Sequence, residues 1–169
     1  MDNAQQISLR QPNDNALLVI SVVAAWWALL GPVWTYVPAS TTTPATALNF
    51  ADLAAMNAVN PSGLQVAFYQ WVAWVFAALT TITALVVFRS GRRATGAGCA
   101  LIGLLQLFVT VFVTVQAAPD WSALFSSLQY TRLGTVLFLG SMLTLTVVGL
   151  RRLRETKPVH DVKRIAAQA

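Results

Sequence analysis

RSGRR, residues 89–93, interrupts two long apolar runs with three arginines. On either side the chain avoids charge for long distances. No Asp, Glu, Lys, Arg or His lies between Asp14 and Asp52, Asp52 and Arg89, Arg93 and Asp120, or Arg132 and Arg151. The apolar parts of those gaps are Ala16–Val37, Leu64–Phe88, Ala94–Ala118 and Leu133–Leu150. A helix rising about 1.5 Å per residue needs roughly 20 residues, within a range of about 17–25, to cross the hydrocarbon of a bilayer. All four segments qualify, Leu133–Leu150 only just. A bilayer offers nothing to pair an open backbone, so the spans must be helices.

Composition agrees. Of 169 residues, 56% are hydrophobic and 10% charged, against about 25% charged in an ordinary soluble domain. The expected fold is therefore an all-α membrane protein, a four-helix transmembrane bundle with short outer amphipathic helices. Residues 1–15 form an N-terminal segment, 16–152 the four-span domain and 153–169 a basic tail. Outer loops fall at 38–63 and 119–132, and an inner turn at 89–93. A cleaved signal peptide is the alternative for the first span, but its apolar run exceeds the usual 7–15 residues or so.

The arginines orient this layout. With four spans, both termini and RSGRR share one side, and that side collects ten of the 11 Lys and Arg residues, leaving Arg132 opposite. Short loops rich in Lys and Arg stay cytoplasmic, so both termini are expected inside. Gly91 supplies permissive geometry for the turn. Arg89, Arg92, Arg93, Arg151, Arg152 and Arg154 are placed to meet anionic phospholipids. The net charge of +5 thus reads as topology and not as nucleic-acid binding.

In the first outer loop, PASTTTPATA reads as extended. Asn49, with Asp52 three residues on, opens a short helix through NFADLAAMNAV. In the second, Trp121, Leu124, Phe125 and Leu128 form one helical stripe, read as an interfacial helix or an extension of span four. Aromatic residues gather on this side. Trp34, Tyr36, Phe50, Leu53, Trp71, Trp74, Trp121, Phe125 and Tyr130 are the candidate surface for a partner or lipid; an aromatic belt at the head groups is the other reading. Trp26 and Trp27 lie deeper, facing either the bundle or a neighbour.

Helices in lipid associate through small residues and modest hydrogen bonds. Gly31, Gly96, Ala100, Gly103, Gly134 and Ser141 are the expected packing positions, and Gln106 is expected to bond across the bundle.

The absent chemistry narrows function. No ionisable residue sits inside a span, which argues against proton-coupled transport. His160 is the sole histidine and Cys99 the sole cysteine, so neither haem held by histidines nor cysteine-pair redox chemistry is expected. No GxxxxGKS, GxSxG, HExxH or CxxC occurs. Asp52 and Asp120 are an acid pair in principle, though both sit where helix caps belong. No catalytic residue, cofactor or metal is expected.

The layout of inner termini, a longer first outer loop and a basic tail is similar to claudin-like and tetraspanin-like proteins. Claudins carry a W–GLW–C–C pattern in that loop, and Pro38–Gly63 has neither Trp nor Cys, so their function is not carried over. The Ala/Val/Thr-rich spans and the AAQA ending resemble high-GC bacterial membrane proteins. The resemblance implies a small four-span accessory subunit of a plasma-membrane assembly, such as an Mce-type lipid-uptake complex or a respiratory supercomplex. Its partners would be other integral membrane proteins. The competing expectation is a lipid-binding or lipid-transporting protein with an outward-facing apolar crevice.

Overall fold

A computed structural model describes residues 11–42, 44–59, 63–90, 93–117 and 121–155. The protein is mostly helical. Helix α1 runs Gln11–Leu30, α2 Phe50–Val59, α3 Gly63–Ser90, α4 Arg93–Ala117, α5 Trp121–Leu128 and α6 Leu133–Glu155. Three stretches are long and apolar enough to cross a membrane: Gly63–Ser90, Thr95–Gln116 and Leu133–Arg154. The fourth expected span differs. Its helix ends at Leu30, not Val37, because Pro32 has no N–H to continue the ladder and disfavours helical geometry at Gly31. The amide of Gly31 makes the last helical bond, to the Trp27 carbonyl at 3.2 Å.

Beyond the break the chain turns into strand. Thr35–Val37 (β1) pairs antiparallel with Thr46–Leu48 (β2), Tyr36 lying opposite Ala47. The other edge of β1 is also used: the Tyr36 amide donates to the Tyr130 carbonyl, and the Arg132 amide to the Trp34 carbonyl, both at 3.0 Å. The hairpin is thereby fastened to the start of α6, and α5 is a separate helix rather than an extension of that span. Asn49 and Asp52 start α2 reciprocally, each side-chain oxygen accepting the other residue's amide at 2.9 Å. This is a capping box with Asn and Asp in the two roles.

Helix α6 packs along α4 and α1, and α3 packs against α1 and α4. The α4–α6 seam is built on missing side chains. A Cβ on Gly96 would lie 3.2 Å from the Gly149 carbonyl, and one on Gly103 would lie 2.9 Å from both the Met142 carbonyl and the Thr146 amide. Ala100 faces Gly149 in the same seam. Gly149 was not among the expected packing positions. Gly31 was, yet it is exposed at the end of α1, where a Cβ would meet only its own helix.

Two polar clamps cross the interior. Gln106 is 1% exposed; its amide donates to the Phe76 carbonyl at 3.1 Å, and it accepts from the Thr80 hydroxyl at 3.2 Å, tying α4 to α3. Buried Ser21 donates to the Ser141 carbonyl at 2.7 Å, tying α1 to α6. Each such bond between helices in lipid contributes about 0.6 kcal/mol on average.

The seam makes a graded expectation. Gly103→Ala should lose about 1–3 kcal/mol through overpacking, seen as a lower midpoint of thermal unfolding in one detergent. Gly98→Ala, where a Cβ meets nothing within 4 Å, should leave the midpoint level or raised. Equal effects at the two sites would refute the close approach.

Candidate crevice and the two ends of the molecule

At the end of the molecule where the hairpin sits, aromatic side chains build a cluster. Trp34 is 4% exposed and Phe50 2%. The Trp34 ring lies 4.9 Å from Phe50, 5.3 Å from Phe138 and 6.5 Å from Tyr69, centroid to centroid, and its indole N–H donates to the Ala28 carbonyl. Phe50 also meets Trp74 edge-on at 5.8 Å. Pairs of this kind contribute about 0.5–1.5 kcal/mol each beyond their area. The ring of Trp34 rests on Gly134, where a Cβ would fall 2.7 Å from the indole nitrogen. Trp34 and Phe50 were expected at a partner surface; they are core.

Below this cluster α3 loosens. Phe68–Val72 forms a π turn, closed by the Ala73 amide donating to the Phe68 carbonyl five residues back. The wider turn helps set Phe68 and Tyr69 against the hairpin, and π turns often mark functional sites. Phe68 and Tyr69 line one side of a crevice of about 400 Å³. Val113 and Thr114 of α4, Thr135 and Leu139 of α6, and Phe125 and Leu128 of α5 line the rest, under Trp34 and Leu53. That volume falls within the range of about 300–1,000 Å³ typical of ligand sites. Among the described residues its lining carries no charged side chain.

Several of the hydroxyls there are bonded within the protein. Thr114 donates to the Thr110 carbonyl and Thr135 to the Trp34 carbonyl, both at 2.9 Å. The arrangement can hold an apolar body and has little with which to do acid–base work. Asp52 is occupied in its capping box, and Asp120 lies outside the described residues. Among the described residues no three His, Cys, Asp or Glu side chains cluster as a metal site.

The remaining expected surface residues separate. Trp71, Trp121 and Phe125 are exposed, Trp121 and Phe125 at 68% each. Tyr36 and Tyr130 form the hairpin seam, and the Arg132 guanidinium lies 5.3 Å over the Tyr36 ring. Trp26 faces inward, its indole N–H donating to Thr81 at 2.9 Å, whereas Trp27 faces out in the last turn of α1. The sequence reading missed Phe68 and Phe138. A run of FYQWVAWVF was legible as aromatic-rich, but nothing in it announces a π turn.

At the opposite end Arg152, expected to meet anionic phospholipids, makes bonds within the protein. It donates to the Val87 carbonyl at 3.2 Å and to the Asn15 side chain at 3.1 Å. Val87 is in the last turn of α3, so the guanidinium satisfies a carbonyl left without a helical partner and joins three helices. Arg151 approaches Asp14 at 3.9 Å, while Arg89 and Arg154 are exposed. Arg92 and the Arg93 side chain lie outside the described residues.

No protein-family model, curated protein or solved structure matches this chain.

The Trp34–Gly134 contact is testable. Gly134→Ala must displace the indole, so it should lose about 1–3 kcal/mol and change the tryptophan near-ultraviolet circular dichroism. An unchanged spectrum would show that the ring is not seated there.

Proposed function

We propose that this chain is a non-catalytic, lipid-holding subunit of a larger bacterial plasma-membrane assembly. The crevice of about 400 Å³, with no charged side chain among its described lining residues, carries that reading. A mostly apolar site of this kind suits a hydrocarbon ligand. The protein's other faces suit a subunit among lipids: Leu101, Leu104, Leu105 and Phe108 stand exposed along α4. Exposed Arg89 and Arg154 are placed for anionic head groups.

The topology we propose has four crossings with both termini cytoplasmic. Among the four proposed crossings the apolar part of α1 is the shortest. Its 17 residues from Asp14 to Leu30, at 1.5 Å each, reach about 25 Å, somewhat less than the usual hydrocarbon thickness of about 30 Å. The segment running from Gly31 to the hairpin completes the crossing. The concentration of ten of 11 Lys and Arg residues on the side of the termini supports cytoplasmic ends.

Both parts have direct tests. On a Cys99→Ser background, S40C should react with a membrane-impermeant maleimide on intact cells, and R154C only after lysis. Labelling of both on intact cells would remove the even number of crossings. For the ligand, the chain extracted in mild detergent from its native membranes should retain a lipid in native mass spectrometry. Leu139→Trp, which fills the crevice, should lose it. A bare wild-type chain would overturn the lipid-holding role.

A further inference from the structure

The crevice has a buried wall and an open flank. Trp34, Phe68 and Val113 form the wall. On the flank, Val111 of α4 is 47% exposed, and Phe125 and Leu128 of α5 are more exposed still. Leu104, Phe108, Val111 and Val115 recur at i, i+4, i+7 and i+11, which is one face of a helix. Leu104 and Phe108 stand exposed, and Val115 lines the crevice. The outward stripe of α4 therefore leads into the crevice. Thr95–Gln116 is long and apolar enough to cross a membrane, and Val111 lies five residues inside the end of that stretch. At 1.5 Å per residue this is about 7.5 Å. A mouth bordered by Val111, Phe125 and Leu128 at that depth opens sideways onto hydrocarbon.

A cation stands at the rim. Arg132 follows the lining residue Thr131, and its Nη1 donates to the Thr131 and Gln129 carbonyls at 3.1 and 2.9 Å. Those bonds use one nitrogen of a guanidinium that has five N–H donors in a planar fork. Its Nη2 and Nε are left to meet an anion, and the half-buried side chain is held over the Tyr36 ring. Among the described residues Arg132 is the one Lys or Arg at the hairpin end. Such a fork matches the oxygens of a phosphate. The lining itself is mostly apolar, and about 400 Å³ is near the small end of ligand sites. It suits one chain of a lipid whose head stays outside, at the rim. The Tyr69 and Thr131 hydroxyls of the lining are donors suited to the ester carbonyl where such a chain begins.

We propose that one acyl chain of a bilayer phospholipid enters the crevice sideways, between α4 and α5, while its phosphate pairs with Arg132. The lipid comes from the leaflet at the hairpin end. Its inserted chain lies against Phe68 and Val113, and its second chain stays in the leaflet. This inference rests on the lipid-holding reading above and adds the class of lipid, its anchor and its route.

The test uses the full chain in phospholipid nanodiscs doped with a phosphatidylglycerol, a diacylglycerol or a fatty acid. Each probe carries a diazirine near a chain end and is present at the same low mole fraction. Labelling at Phe68 and Val113 is read relative to labelling of the exposed Leu104–Phe108 face. Phosphatidylglycerol should exceed diacylglycerol about tenfold, the scale of one hydrogen bond to a charged group. Arg132→Gln should bring the two level. Parity in the wild-type chain would overturn the phosphate anchor. A fatty acid that labels the wall as strongly as phosphatidylglycerol would overturn the phospholipid occupant and leave lipid holding in place. Val111→Trp, which narrows the mouth from an exposed position, should cut wall labelling and leave the Leu104–Phe108 signal intact. Should that variant not fold, Leu128→Trp serves on the other lip. Wall labelling unchanged by the narrowed mouth would overturn the lateral route. If none of the three probes reaches Phe68, the lipid-holding reading falls as well.

Discussion

The hairpin end depends on Trp34 seated against a residue with no side chain. Gly134 opens the first turn of α6 enough for the indole to reach it, and from there Trp34 touches α2, α3 and α6 at once. Its N–H returns to the Ala28 carbonyl of α1. One ring therefore links the ends of four helices and roofs the crevice. The Gly31–Pro32 break makes this possible. A helix continued to Val37 would carry residue 34 past the end of α6, with its backbone bonds spent within α1. Because the helix stops at Leu30, the backbone of residues 34–36 is released to pair with Leu48 on one side and Tyr130–Arg132 on the other. Both edges of the strand are filled, which removes the exposed-edge liability of so short a strand.

Much of the helical frame was legible, for a physical reason. Charge is excluded from hydrocarbon so strongly that gaps between charged residues mark long apolar helices, and α3, α4 and α6 follow them closely. Small residues at helical spacing were legible too, since Gly96, Ala100 and Gly103 sit in the α4–α6 seam. The apolar gap failed at Val37. It records what can lie in or near lipid, not what is helical, and a short strand can be as free of charge as a span. The signal that mattered was local: Gly-Pro followed by the β-branched and aromatic run VWTYV.

The same limit explains the candidate site. Tryptophan near the end of an apolar run is ambiguous between head-group anchor and core, and sequence position cannot separate them. Trp34 and Phe50 proved to be core, whereas Trp27, Trp71 and Trp121 face outward. The crevice was the less visible part, because cavities arise from helix offsets and from the π turn at Phe68–Val72, neither of which has a compositional signature. Gln106 was the exception. A mid-span amide has few ways to be satisfied, so its bonds to Phe76 and Thr80 follow almost from its presence.

The arginine end and the crevice end are mechanically different, and that difference bears on function. Near the arginines, α1, α3 and α6 are tied by Arg152 to Val87 and Asn15, and α4 lies against α6 at glycine contact distance. Toward the hairpin, large aromatic side chains take the place of glycines, so the helices cannot approach as closely. The space left over is the crevice. The closely packed end holds α4 against α6, and the aromatic end borders the crevice. Helix α5 contributes Phe125 and Leu128 to the outer side of that volume, where they line the crevice while remaining largely exposed.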